Sequence, residues 1–207
     1  MKLRDEIHKH HESWKKSFLD NFSQDEHGAP IPWMTYGAIE FLEKNLQKNH
    51  HVFEFGCGAS TLFSAKRVAQ VTSLETRQMW RAIIEEKLQQ ENLSAEIALM
   101  EDGLENELYE NFPKNSGKKF DFIIIDSLKR FACAKNAIEA LAPGGAIILD
   151  DSQRQNYQKI FDFFAEKKFT RLDFPGLAPG DLKLKNTTIF LVSSNSPHPP
   201  NVTPHLL

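Results

Sequence analysis

Cysteine is scarce in this 207-residue chain, with only Cys57 and Cys133 present, and two thiols so placed do not make a disulfide framework. A free thiol is the default for both. No apolar run approaches the ~18 residues that a membrane span needs, and the opening Met1-Lys-Leu-Arg-Asp-Glu-Ile-His8 lacks a signal-peptide core. An excess of basic charge is missing too: the formal net charge is −3, so the surface carries no general mark of a phosphate-backbone binder. These absences predict a soluble, cytoplasmic protein with a small-molecule substrate and neither a nucleic-acid nor a membrane partner. Oligomeric state leaves no trace in the sequence.

What is present is a regular alternation. Runs rich in Ile, Val, Leu and Phe near 51–55, 71–75, 96–100, 120–126 and 146–150 read as strands, with two more near 169–174 and 187–193. Helical periodicity fills about 60–69, 77–91, 104–111, 131–141 and 154–167 between them. Continuous apolar strands separated by helices imply an α/β fold, a mostly parallel sheet covered on both faces. The last two strands are joined by Pro175-Gly-Leu-Ala-Pro-Gly-Asp181, a turn-rich loop without helical pattern, so an antiparallel strand should close the sheet. Three regions follow: a helical cap over 1–50 with helices near 3–21 and 35–48, a core over 51–193, and a Pro-rich, disordered tail over 194–207. The histidines at 8, 10 and 11 belong to the first helix, where His10 points away from the other two, and a solvated face explains them better than a metal site.

The most informative stretch is Val52-Phe-Glu-Phe-Gly-Cys-Gly-Ala-Ser-Thr-Leu62: a strand ending near the acid Glu54, then Gly56 and Gly58, then a helix opening near Ser60. The glycines allow a sharp turn and close approach of a ligand to the backbone, and the first helical N–H groups favour an anion. Glu54 would repel a pyrophosphate and hold an ammonium group, and Thr61 stands where a dinucleotide fingerprint has its third glycine. Four further apolar runs end on acids: Glu75, Asp102, Asp126 and the pair Asp150-Asp151. Packing asks only for the apolar part of each run, and in open α/β sheets ligands bind beyond the carboxyl ends of the strands.

Glu54-Phe-Gly-Cys-Gly-Ala-Ser60, with Leu141-Ala-Pro-Gly-Gly145 before the fifth strand, resembles the motifs of class I S-adenosylmethionine-dependent methyltransferases over about residues 31–193. The resemblance implies a doubly wound, Rossmann-like seven-stranded sheet and S-adenosylmethionine as cofactor. Glu54, Gly56, Gly58, Ser60, Glu75, Asp102 and Asp126 would line its site, with Glu54 toward the methionine amine and Glu75 toward the ribose. Locally, Asp126-Ser-Leu-Lys129 and Asp150-Asp151 look like the catechol O-methyltransferase branch, in which such acids hold a divalent cation and the lysine is the base. That branch has Asp-Asn where this chain has Asp-Asp, and its flanking residues are not recognisable. The reading therefore favours a metal-free rim, with Asp126 and Lys129 as catalytic candidates and Asp150, Asp151, Arg154, Tyr157, Trp33 and Tyr36 on the substrate side. Arg130 shares that rim. The absence of an Asp-Pro-Pro-Tyr type of motif after the fourth strand points away from base amino groups, leaving a small-molecule or sugar hydroxyl as acceptor. The rival readings are aminopropyl transfer, a non-catalytic cofactor-binding protein and a nicotinamide-dependent oxidoreductase.

Overall fold

Five strands run parallel because each is followed by a helix that carries the chain back across the sheet. In the computed structural model, which describes residues 3–103, 105, 107–127 and 129–192, they are β1 (His51–Phe55), β2 (Gln70–Glu75), β3 (Glu96–Leu99), β4 (Phe120–Ile125) and β5 (Leu141–Leu149). The hairpin β6 (Phe169–Gly176) and β7 (Lys185–Val192) completes a seven-stranded sheet of order β3-β2-β1-β4-β5-β7-β6. β7 is antiparallel to both of its neighbours, as the turn-rich connection predicts. Order reverses between β1 and β4, so the loops after these two strands diverge and leave a crevice between them.

The helices are α1 (Leu3–Asp20), α2 (Tyr36–Asn45), α3 (Ala59–Ala65), α4 (Gln78–Gln90), α5 (Glu107–Asn115), α6 (Arg130–Ala140) and α7 (Gln158–Glu166). Strand alternation divides the core between the two faces. Phe122, Ile124, Ala146 and Ile148 pack with Ile39 and Leu42 of α2 and Phe63 of α3. Ile123, Ile125, Ile147 and Leu149 face Cys133, Ala134 and Ala137 of α6 and Ile160 and Phe164 of α7. Small residues on α6 let that helix lie close to the strands. The first 50 residues thus supply part of the main core, since α2 is packed directly on the sheet.

The helices expected over 35–48 and 60–69 end earlier, at Asn45 and Ala65, and three further boundaries differ from expectation. The helix expected over 104–111 is displaced to Glu107–Asn115, after a turn at Glu101–Gly103, and it tolerates Pro113 within its last turn. The helix expected over 154–167 opens as a 3₁₀ turn, Gln155–Tyr157, before α7. The Leu141–Gly145 run joins β5 through a register irregularity between Phe120 and Phe122. A Cβ at Gly145 would lie 2.8 Å from Leu141 Cδ1 and 2.9 Å from the Asp121 carbonyl, so this approach requires glycine. The tail expected over 194–207 lies outside the described residues.

Candidate functional site

β1 delivers Glu54 to the crevice one residue before the strand ends, and β2 places Ser73 beside it in register. The side chain is buried, with the residue only 2% exposed. Oε1 accepts hydrogen bonds from the hydroxyls of Thr61 and Ser73 (2.6 Å for the latter), and Oε2 accepts one from Ser60 at 2.6 Å. No cationic side chain pairs with it among the described residues. Burial pushes the Glu54 carboxyl up to about 7, although the three hydroxyls pull the other way. Thr61, where a dinucleotide fingerprint would have glycine, also accepts the Gly58 N–H at 2.8 Å and so fixes the loop at the start of α3.

The two glycines have different roles. Gly56 sits at φ +100°, a conformation that only glycine adopts readily. Gly58 is extended, with φ −179°, so the expectation that both serve the turn is corrected. A Cβ at Gly58 would meet only Ser60 Oγ at 4.0 Å, and the space above it is open to the cleft. Between them, Cys57 is buried; burial and then the charge of Glu75 push its thiol up, which makes it inert as a nucleophile.

Glu75 ends β2 under the same loop. Its Oε2 accepts the Cys57 N–H at 3.1 Å, and its Oε1 accepts the N–H groups of Thr76 and Arg77, each at 2.9 Å. The Arg77 side chain, 71% exposed, approaches Oε1 at 3.6 Å. Together these residues bound a cleft of about 330 Å³. One wall is the glycine loop with Glu54, Glu75 and Asp126; the other is Phe22, Ser23, Trp33 and Met34 from the connection between α1 and α2, with Trp80 of α4. A second depression of about 610 Å³ shares Gly56, Glu75, Arg77 and Asp126, and continues along Glu101, Tyr109, Arg130, Asp151 and Arg154.

The ends of β4 and β5 are organised by three cations. Arg130, only 4% exposed, ion-pairs with Asp126, donates to Tyr157 Oη at 2.9 Å and lies 3.7 Å from Asp151. Lys185 Nζ sits 2.5 Å from Asp150 Oδ2 and 3.2 Å from Asp151 Oδ1, and donates to the Trp33 carbonyl at 3.1 Å. Asp150 also accepts from Thr187 Oγ1 at 2.7 Å, and Arg154 pairs with Asp151. Burial raises the Asp150 carboxyl, with Lys185 opposing. Burial would also raise Asp151, but Lys185, Arg154 and Arg130 outweigh it and hold this acid below the usual range.

Most of the residues singled out in the sequence do converge here: Glu54, Gly56, Gly58, Ser60, Glu75, Asp126 and Trp33 line the first cleft, and Asp151 and Arg154 the second. Asp150 and Tyr157 are buried behind the rim. Three others go elsewhere. Lys129 reaches Glu110 Oε2 at 3.1 Å and lines neither cavity. Tyr36 is buried under the cap, stacked 3.8 Å from His10 and within 3.0 Å of Ser13 Oγ. Asp102 is exposed in the turn after β3, where Glu101 faces the depression instead. The sequence reading missed Ser73, Thr61 as a partner of Glu54, Trp80 and Lys185. Ser73 carried only a partial signal, as a polar residue inside a buried strand, because its pairing with Glu54 depends on register. Among the described residues no group of three or more His, Cys, Asp and Glu is placed to hold a metal.

A sheet of this order, with a glycine loop between β1 and α3 and acids at the strand ends, is the class I methyltransferase fold. Solved structures share it. A methyltransferase from Pyrococcus furiosus superposes with a TM-score of 0.57 at 15% identity, over 91% of this chain and 96% of that one. An rRNA methylase from Streptococcus thermophilus gives 0.55 at 16%, over 74% and 92%. A candidate methyltransferase from Streptococcus mutans, in complex with S-adenosylhomocysteine, gives 0.53 at 17%, over 73% and 94%. No protein-family model matches the sequence, and no curated protein matches it.

Proposed function

We propose that this chain is an S-adenosylmethionine-dependent methyltransferase acting on a hydroxyl of a small molecule or sugar. The observation that carries the reading is Glu54, a buried acid at the cleft wall with hydroxyl donors but no internal cation, beneath a loop whose Gly58 leaves open space. Such a carboxylate suits an incoming ammonium group and disfavours a pyrophosphate. A neighbour of the same fold holds S-adenosylhomocysteine, which supports the assignment. Bound S-adenosylmethionine would supply an activated methyl group on a cationic sulfur.

The protein's own part is binding, orientation and exclusion of water. Glu54 would receive the methionine amine. Glu75 Oε2, which accepts the Cys57 N–H and, at 3.6 Å, the weakly donating Cys57 thiol, would exchange the thiol contact for a ribose hydroxyl, and Gly56 and Gly58 allow close approach. Arg130 fixes one oxygen of Asp126, and the other makes no hydrogen bond among the described residues, so this acid can orient an acceptor hydroxyl. Trp33, Met34 and Phe22 wall one side of a cleft of only about 330 Å³, a size that supports a small acceptor over a polymer. The fold itself serves rRNA in one neighbour, so the acceptor rests on this cleft and on the net charge of −3. Lys129, held by Glu110, has no part in this scheme.

Calorimetric titration of the purified chain with S-adenosylhomocysteine and, separately, NAD tests the donor half. Saturable one-site binding of the first and none of the second is expected; the reverse result would replace the reading with a nicotinamide one.

A further inference from the structure

Donor and product of the proposed reaction are alike at the amine, carboxylate, ribose and base; they differ by one methyl group and by the charge on sulfur. The hydrogen bonds described so far are therefore blind to the difference. An aromatic face is not, because its quadrupole attracts a cation and is nearly indifferent to a neutral thioether. Four aromatic residues line the cleft; Phe55 is packed into the core against Phe53 and Tyr109, which leaves Phe22, Trp33 and Trp80 beside the acids Glu54, Glu75 and Asp126. Among its lining residues the only basic one is Arg77, which is largely solvated.

The three rings are not equivalent. Phe22 already has Lys87 Nζ 4.5 Å from its centroid, and Trp33 is 41% exposed at the mouth, where water screens the attraction. Trp80 is half-buried and fixed: its indole N–H donates to the Cys57 carbonyl at 2.5 Å, which pins the ring to the glycine loop. The Arg77 guanidinium stands 5.6 Å from the ring centroid, farther than Lys87 stands from Phe22, and it is largely solvated, so it leaves this face to a ligand cation more readily. Indole is also the strongest of the aromatic acceptors of positive charge.

Resting on the methyl-donor reading above, we propose that Trp80 is a specificity-determining residue that favours the sulfonium donor over its neutral product. Product would then leave the cleft more readily than donor, without any change in the groups that recognise the shared parts of the two molecules.

The test is equilibrium binding of S-adenosylmethionine and S-adenosylhomocysteine, measured separately, to the wild-type chain, Trp80→Leu and Trp80→Phe. Wild type should prefer the donor. Trp80→Leu should weaken donor binding by about 3- to 10-fold more than product binding, the size of a partly desolvated cation–π contact. Trp80→Phe, which loses the bond to Cys57 but keeps a ring, should retain most of the preference. Equal loss for both ligands in Trp80→Leu, or a preference lost as fully in Trp80→Phe, would overturn the proposal by showing that Trp80 only packs or pins the loop. Should the leucine variant unfold, Trp80→Met fills more of the same volume and is judged by the same ratio. Failure of wild type to bind either ligand would instead sink the methyl-donor reading itself.

Discussion

Two acidic corners lie on one sheet edge and are solved in opposite ways. At the ends of β4 and β5, Asp126, Asp150 and Asp151 are met by Arg130, Arg154 and Lys185, so their charge is neutralised within the protein. At the end of β1, Glu54 is as deeply buried as Asp150 yet receives only hydroxyl groups. The difference separates structure from binding. A corner that carries its own cations is complete as folded and offers little to a metal ion or an ammonium ligand. A corner that leaves a buried carboxylate without a countercharge stays destabilised until a ligand supplies one.

Removing a countercharge from the first corner should have the largest effect. Lys185→Met leaves Asp150 buried and unpaired, and urea denaturation should show a loss of about 3–5 kcal/mol, with much of it recovered in Lys185→Met/Asp150→Asn. A loss below about 1 kcal/mol would mean that the rim is not internally neutralised in solution.

The same kind of change at the second corner should act with opposite sign on the fold. Glu54→Gln should leave the cofactor-free protein as stable or more stable at pH 8, while weakening S-adenosylmethionine binding by about 1.5–3 kcal/mol. The pH dependence sharpens this. The Glu54 carboxyl stands at about 7 when folded, above its unfolded value of about 4.3, so the folded chain binds more protons between these limits. Stability of the cofactor-free protein should therefore fall as pH rises through that window and level off above about 7. Asp150, also raised, contributes with the same sign, and Asp151, Asp173 and Glu40, all lowered, act in the acid range, so the wild-type minus Glu54→Gln difference isolates the effect. Donor affinity should rise through the same window, with proton release visible as a dependence of the calorimetric enthalpy on buffer. Affinity that is flat from pH 5.5 to 8 would remove Glu54 from the amine.

The smallest expected effect is that of metal. Lys185 already lies between the paired acids, so neither a chelator nor millimolar Mg²⁺ should shift the thermal midpoint or the S-adenosylhomocysteine affinity. A rise in midpoint on adding Mg²⁺, abolished by chelator, would show that the cation competes with Lys185 and would restore the catechol-type comparison.

The strand ends were legible because a buried strand that stops on a carboxylate cannot be explained by packing. Their partners were not legible, since partners depend on register: Ser73 reaches Glu54 only because β1 and β2 align those two residues. Lys185 follows Leu182-Lys-Leu184 in a polar loop, and no local pattern distinguishes it from the exposed Lys183. Lys129 shows the converse. The catechol-type resemblance implies a base at this position, but at the N-terminal end of α6 its side chain is directed to α5 and Glu110, while Arg130, one residue on, turns inward to Asp126. Tyr36 lay in an aromatic-dotted stretch that hid which rings face the cleft, and its position as the first residue of α2 packs it against the cap.

The position of Lys185 in the chain also bears on how the protein is made. During synthesis Asp150 emerges 35 residues before the ammonium group that neutralises it, whereas Glu54, Thr61 and Ser73 emerge close together. The hydrogen bonds around Glu54 therefore join residues of one short contiguous stretch. The corner at Asp150 must wait for β7, the strand that slots between β5 and β6. A nascent chain halted before that strand would hold Asp150 without its countercharge, while Asp151 would still have Arg130 and Arg154.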